Sequence, residues 1–330
     1  MALVALGLAP GTWLRSPPPT TNSEQVLRVT PIAVPPRQWG PLRLVAAWQL
    51  ASPNSQFGGF SGLVVLRDGK LLAASDRADM LVMSPPPQTP GAGPVTFSIE
   101  RYGRFDPTRL GFFDLESLTR DPVSGRLWSA YEQNNFIMRI DEDYRHRWYR
   151  RPRAMRNWAA DFGPEAMVRL ADGRFIVLAE RSPRWFAATS PGLVFPYDPI
   201  AGAKPFAFKV ETPAGYSPTD IAQLPDGRVL VLLRKFRLGL PPTYPCKIAI
   251  ADPRDLRPGV TWRPRVIADL AAPLPSDNYE GLAIAPDPDG GSTVWVISDD
   301  NKSGLQRTLL LKLRWEPETT TARGSSARRG

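Results

Sequence analysis

Five copies of one short pattern recur along the 330-residue chain, and such a repeat restricts the fold more than any other property of the sequence. The copies are 60-FSGLVVLRDGKLLAASDR-77, 115-LESLTRDPVSGRLWSAYEQ-133, 164-PEAMVRLADGRFIVLAER-181, 219-TDIAQLPDGRVLVLLRK-235 and 279-YEGLAIAPDPDGGSTVWVISDD-300. Each opens on a small or acidic residue, runs through a short apolar stretch and turns at Asp68-Gly69, Ser124-Gly125, Asp172-Gly173, Asp226-Gly227 or Asp289-Gly290. A second apolar run follows, so each copy reads as a β-hairpin whose turn needs a permissive glycine.

Further strand-like segments lie between the copies: DMLVMSP and TFSIERY, NFIMRID, GLVFPYD and PFAFKVE, CKIAIAD and RPRVIADL, and TLLLKLRW. A hairpin plus two more strands makes a four-stranded antiparallel sheet, the unit of a β-propeller blade. The fifth copy lacks a fourth strand after Trp315, and 42-LRLVAAWQL-50 can supply it and close the ring. The expectation is therefore an all-β chain, a single propeller of five blades closed by an N-terminal strand. Residues 25–50 leave room for a sixth, degenerate blade. An open β-sandwich does not account for five registered copies.

Composition agrees. The 37 prolines and 26 glycines suit many short strands and oppose long helices. The propeller is expected over residues 25–315. Before it, residues 1–9 are apolar, break at Pro10 and are too short to span a bilayer, and a polar linker runs to residue 24. The basic n-region of a secretory signal is missing, yet export by a cleaved signal or an uncleaved anchor is the expectation, with an extracytoplasmic location. Residues 316–330 read as a disordered basic tail. The net charge of +9 comes from 41 cationic residues, of which only seven are lysine. The arginines are scattered apart from 145-RHRWYRRPRAMR-156 and the tail, and no nucleic-acid-binding motif accompanies them.

Scarcity also excludes chemistry. Cys246 has no partner for a disulfide, and His146 is the only histidine. Ser-His-Asp hydrolysis, His-ligated zinc and two-His iron sites all need imidazoles that this chain mostly lacks. A metal here must be held by oxygen, which favours calcium or magnesium. Carboxylates do recur. The residue opening the first strand of each copy is Ser61, Glu116, Glu165, Asp220 or Glu280, and the second strand ends on Asp76, Glu132, Glu180, Arg234 or Lys235, and Asp299 with Asp300. Converging carboxylates resist ionising together unless a cation neutralises them. Turn capping and pairing with Arg77, Arg181, Arg234 and Lys235 is the architectural alternative.

FSGL, DLESL, GPEAM, SPTDIA and NYEGLA, with SDR, YEQ, LAER and ISDDN, resemble the phytase-like β-propeller family, also described as esterase-like activity of phytase. The likeness runs from about Leu44 to Trp315. It implies a bacterial, usually exported propeller, and an activity named after calcium-dependent hydrolysis of phosphate esters. The dense Asp and Lys runs of a developed calcium phytase site are missing.

The candidate site follows from these residues. Glu116, Glu165, Asp220 and Glu280, with Asp76, Glu132, Glu180 and Asp299, are the candidate ligands of a divalent cation, calcium first. Glu116, Glu165 and Glu280 are the candidate catalytic carboxyls. Arg77, Arg181, Arg234 and Lys235 are candidate clamps for a small anionic ester, and Asn134, Asn278 and Asn301 candidate neutral ligands. Ser61 lacks the elbow motif of a serine nucleophile. His146 is expected at the surface and Cys246 in the core. Three readings stay open: a metal-dependent esterase or phosphoesterase, a non-catalytic envelope propeller binding a partner through 183-PRWFAATSP-191 and 236-FRLGLPPTYP-245, and a propeller with a purely structural ion. A monomer is expected in each.

Overall fold

A computed structural model describes residues 21–88, 93–101, 114–141, 147–159, 162–181, 189–271 and 274–316. His146, the terminal segments 1–20 and 317–330, and most of the 183–191 insertion lie outside the described residues.

The described residues form five antiparallel sheets. Blade one is Phe60–Val65, Leu71–Ser75, Asp79–Met83 and Phe97–Arg101, and blade two is Leu115–Arg120, Leu127–Tyr131, Phe136–Ile140 and Arg147–Arg150. Blade three runs Pro164–Arg169, Phe175–Ala179, Thr189–Phe195 and Phe206–Glu211. Blade four runs Ser217–Gln223, Val229–Arg234, Cys246–Ala251 and Arg265–Asp269, and its connection lends Thr261–Trp262 to the edge of blade three in parallel. Blade five is Asn278–Pro286, Ser292–Asp299 and Thr308–Trp315, completed by Leu42–Ala51 from the other end of the chain. The stretch expected to close the ring does so. Residues 28–32 add an outer strand to the same sheet, pairing Arg28 with Ala51, so the material for a sixth blade is used up on the fifth.

The first strands of the five blades pack side by side in a closed circle around the channel. The apolar sequences explain why blades stack. In VLVLLR of blade four, Leu230 and Leu232 enter the core shared with blade five, while Val229, Val231 and Leu233 enter the core shared with blade three. Blade three repeats this, with Ile176 and Leu178 on one side and Phe175, Val177 and Ala179 on the other. Alternate side chains of a strand face opposite ways, so a strand buried on both faces must be apolar at every position. Each fully buried leucine contributes roughly 1.5–3 kcal/mol.

The predicted turns are present, and Gly69, Gly125, Gly173, Gly227 and Gly290 all have positive φ, between +74° and +90°. No helix of the described residues is long and apolar enough to cross a membrane.

Candidate functional site

Every first strand carries a β-bulge at the same place. Pairing with the second strand skips Ser61, Glu116, Glu165, Thr219 and Glu280 in turn. A bulged residue is left out of the ladder and its side chain is re-aimed. The blade-four member of this ring is therefore Thr219, which corrects the alignment that put Asp220 there. Asp220 lies one position on, where the side chain faces the next blade, and it accepts hydrogen bonds from Leu282 N–H (2.6 Å) and Ile221 N–H (2.8 Å). The equivalent positions hold Gly62 and Gly281, where a Cβ would stand 2.8 Å from Leu118 and 2.9 Å from Leu63. Asp220 thus stitches blade four to blade five, and burial alone holds its carboxyl well above the usual range.

The register at the same end of the second strands defines a second ring. Pro164 pairs with Ala179, Ser217 with Arg234 and Asn278 with Asp299, so the equivalent positions are Asp76, Glu132, Glu180, Arg234 and Asp299. Of Arg234 and Lys235 the ring position is Arg234, and of the pair Asp299 and Asp300 only Asp299 occupies it. Lys235 turns away, donating to Ala214 O (3.0 Å) over the Tyr216 ring. Asp300 instead accepts Gly59 N–H (3.0 Å), Lys302 N–H (2.9 Å) and Thr308 Oγ1 (2.8 Å). Gly58 has φ +92°, and a Cβ there would sit 2.7 Å from the Asp300 carboxylate, so the loop needs glycine.

The two rings bring carboxylates into contact. Ligand oxygens of Asp114, Glu116 and Glu132 lie within 4.8 Å of one another, and so do those of Glu132, Glu165 and Glu180. Glu132 belongs to both triads. It accepts Gly163 N–H (2.9 Å) and shares a hydrogen bond with Glu165. Glu165, Glu180, Glu280 and Asp299 are buried. Burial, with repulsion from Glu165 and Glu132, drives Glu116 well above its ordinary pKa, and burial with Glu132 and Glu180 does the same to Glu165. Burial pushes Glu132 up to about 7, and burial and Glu280 raise Asp299.

Arg234 is the cation inside this ring. It pairs with Glu280, reaches Glu180 Oε1 at 3.4 Å and donates to Asn278 Oδ1 at 2.9 Å. Burial opposes its charge, but Glu280, Glu180 and Glu165 outweigh burial and raise its pKa. Asn278 also donates to Glu280 Oε1 (2.8 Å), so this asparagine bridges the pair.

The remaining candidates divide by position. Asp76 lies at the blade-one end, where burial lifts it to about 6 against Arg77 and Lys302, and its buried Oδ1 has no hydrogen-bond partner among the described residues. Arg77 is exposed, and Arg181 sits at the rim over the Phe162 ring, 3.7 Å from Glu180. Ser61 is buried on its bulge and hydrogen-bonded to Glu280. Asn301 donates its backbone N–H to Asp299 Oδ1 (2.6 Å) and its side-chain Nδ2 to Gln306 Oε1 (3.0 Å), and Asn134 lies in the turn after Glu132. Cys246 is buried, which pushes its thiol up to about 12. The repeat alignment overlooked Asp114, at φ +65°. The Asp-x-Glu spacing of 114 and 116 was the available signal.

Two all-oxygen donor triads and the raised carboxyls of Glu116, Glu132 and Glu165 fit a hard divalent ion. Asp114, Glu116, Glu132, Glu165 and Glu180 would hold it. An open cavity of about 760 Å³, lined by Asp287, Asp289, Lys312 and Arg314, lies at the opposite end of blade five.

Against known families, the model for esterase-like activity of phytase matches residues 55–302. The chain belongs to the phytase-like family. That span covers all five blades' inner hairpins and every member of both rings. None of the curated proteins matches the sequence. Among solved structures, Kuenenia stuttgartiensis hydrazine synthase aligns at 13% identity and TM-score 0.39, over 73% of this chain and 56% of that one. The nidogen/laminin complex aligns at 10% identity and TM-score 0.39, over 83% and 94%. The Malassezia sympodialis allergen Mala s 1 aligns at 14% identity and TM-score 0.41, over 83% and 78%. This phytase-like chain spans little more than half the length of the hydrazine synthase chain.

Proposed function

We propose that the protein hydrolyses a small anionic ester, phosphoric or carboxylic, at the ring end of the channel with the help of a divalent cation, calcium in the first instance. The observation that carries this reading is the pair of carboxylate triads joined at Glu132 beside the half-buried Arg234. An ion held there would polarise the ester oxygen and acidify a water molecule.

The chain's own groups have separable tasks. Arg77 and Arg181, exposed at the rim, attract the anion, Arg by its paired donors. Arg234 is engaged by Glu280, Glu180 and Asn278, so it fixes carboxylates rather than clamping substrate. Glu280 lies in neither triad and is held by Arg234 and Asn278, which leaves it to accept the proton of the attacking water. The water oxygen bonds to phosphorus or acyl carbon as the bond to the alcohol oxygen breaks, and the proton passes to the departing alkoxide.

The test is release of p-nitrophenol from p-nitrophenyl phosphate and p-nitrophenyl acetate, with calcium and with EDTA. Calcium-dependent turnover that Glu132→Gln abolishes is the expected result. Cation binding without turnover on either ester would overturn hydrolysis and make the ion structural. An extracytoplasmic location belongs to the same proposal, because modest-affinity calcium sites fill where calcium is abundant; cell fractionation that finds the protein in the cytoplasm would refute it.

A further inference from the structure

Large apolar side chains are mostly buried in this protein, yet Leu238 is 71% exposed, Leu240 90% and Leu305 59%. All three lie on loops joining the second and third strands, in blades four and five. Those loops leave the sheets at the end that carries Arg234 and Asp299. The blade-four loop is a built hairpin: Lys235 N–H donates to Pro245 O (2.9 Å), and Arg237 and Thr243 exchange hydrogen bonds of 2.9 and 3.1 Å. Phe236 and Tyr244 pack in its stem with ring centroids 5.7 Å apart. Its tip is thus held out in water by a paired stem.

Two contacts tie the hairpin to the blade-five loop. The Cys246 thiol at the hairpin's foot lies 3.3 Å from Tyr244 O and 3.8 Å from Asp277 O. Asp277 in turn accepts Arg307 N–H (3.1 Å) and faces its guanidinium at 3.8 Å, at the foot of the loop bearing Leu305. The two loops therefore stand as neighbours across Asp277. From Arg234 to Leu238 is four residues, roughly 13 Å of extended chain. Exposed apolar surface rimmed by polar groups marks a ligand-binding edge.

We infer that these loops form an apolar rim beside the channel mouth, and that the ester taken by the site carries an apolar alcohol or acyl chain rather than a purely polar one. The inference rests on the hydrolase reading for the anionic head and adds the class of its tail. The charged head seats at the ring while the tail lies along Tyr244, Leu240 and Leu238.

Titration calorimetry on calcium-loaded protein with methylphosphonate and octylphosphonate tests it. The expected result is about tenfold tighter binding of octylphosphonate. In Leu238→Ser/Leu240→Ser, whose changes are confined to exposed positions, that preference should fall below about threefold while methylphosphonate binding stays the same. Equal affinities in the native chain, or an undiminished preference in the variant, would overturn the rim. Octylphosphonate preference without turnover of the p-nitrophenyl esters would remove hydrolysis and leave the rim, and turnover without preference would do the reverse. Binding of neither phosphonate would remove both.

Discussion

Arg234 ends the second strand of blade four, yet its guanidinium pairs with Glu280 on the first strand of blade five. Glu132 stands in the same relation to Glu165, the second strand of blade two reaching the first strand of blade three. One link is an ion pair and the other a carboxyl pair, so blade four carries its own cation where blade two must obtain one. This contrast sets the first three expectations.

Arg234→Gln removes the half-buried cation and leaves Glu280 and Glu180 facing each other. Breaking one partner out of a buried pair costs about 3–5 kcal/mol. Thermal unfolding in EDTA should show a clear loss, partly recovered by calcium. An unchanged melting temperature in EDTA would mean that the pair contributes nothing.

Cation uptake should follow triad membership. Glu132→Gln interrupts both triads and should weaken calcium binding most, and Asp114→Asn interrupts one and should weaken it less. Asp220→Asn, whose carboxylate serves Leu282 and Ile221, should leave binding intact while costing about 1–2 kcal/mol of stability. Calorimetry on the three variants checks the order, and equal losses would contradict it.

The cation-free protein should lose stability as pH rises. Burial, with Glu165, Glu132 and their neighbours, holds Glu116 and Glu165 well above a free carboxyl, and puts Glu132 at about 7 and Asp76 at about 6. Between the unfolded value, roughly 4.3, and these folded values, the native state keeps protons that the unfolded chain has released. That contribution is complete below the unfolded value and is lost as pH passes the folded ones. Melting temperatures in EDTA should therefore fall from about pH 5 to about pH 8, and calcium should flatten the profile. A rise over that range would reverse the assigned sign.

Ring closure should dominate global stability. Trp48 on the closing strand is buried, lies 6.1 Å from Trp295, and faces Leu310 across the pairing. Trp48→Ala should cost about 3–5 kcal/mol, whereas Val26→Ala, at an exposed position, should stay within about 0.5 kcal/mol. Urea unfolding of the two variants gives the comparison.

The fold was legible because each blade needs a positive-φ glycine at one turn and continuous apolar runs on its second strand. Both demands write themselves into local sequence, as at Gly227 and VLVLLR. Most ring members were legible for the same reason. Thr219 and Asp220 were not told apart, because a bulge shifts side chains by one position without changing the residues that flank it. The opposing neighbours of Arg234 come from two other blades, Glu180 and Glu280, and no spacing along one chain encodes that. The rim was legible in part: 236-FRLGLPPTYP-245 reads as a binding insertion, but that its leucines rather than its aromatics are the exposed groups depends on the paired hairpin stem, which sequence alone does not show.

The strand Leu42–Ala51 is synthesised long before its partner Thr308–Trp315. A ribosome emitting this chain releases a ten-residue, largely apolar segment that pairs on one edge with residues 28–32 but must wait with its other edge open while four blades are made. Those blades can assemble locally as they emerge, but the circle is sealed only once Thr308–Trp315 has been made. Closure is thus also the event that fixes the spacing of the carboxyl rings, so a product that ended between Asp299 and Thr308 would carry every ligand and still lack a closed ring.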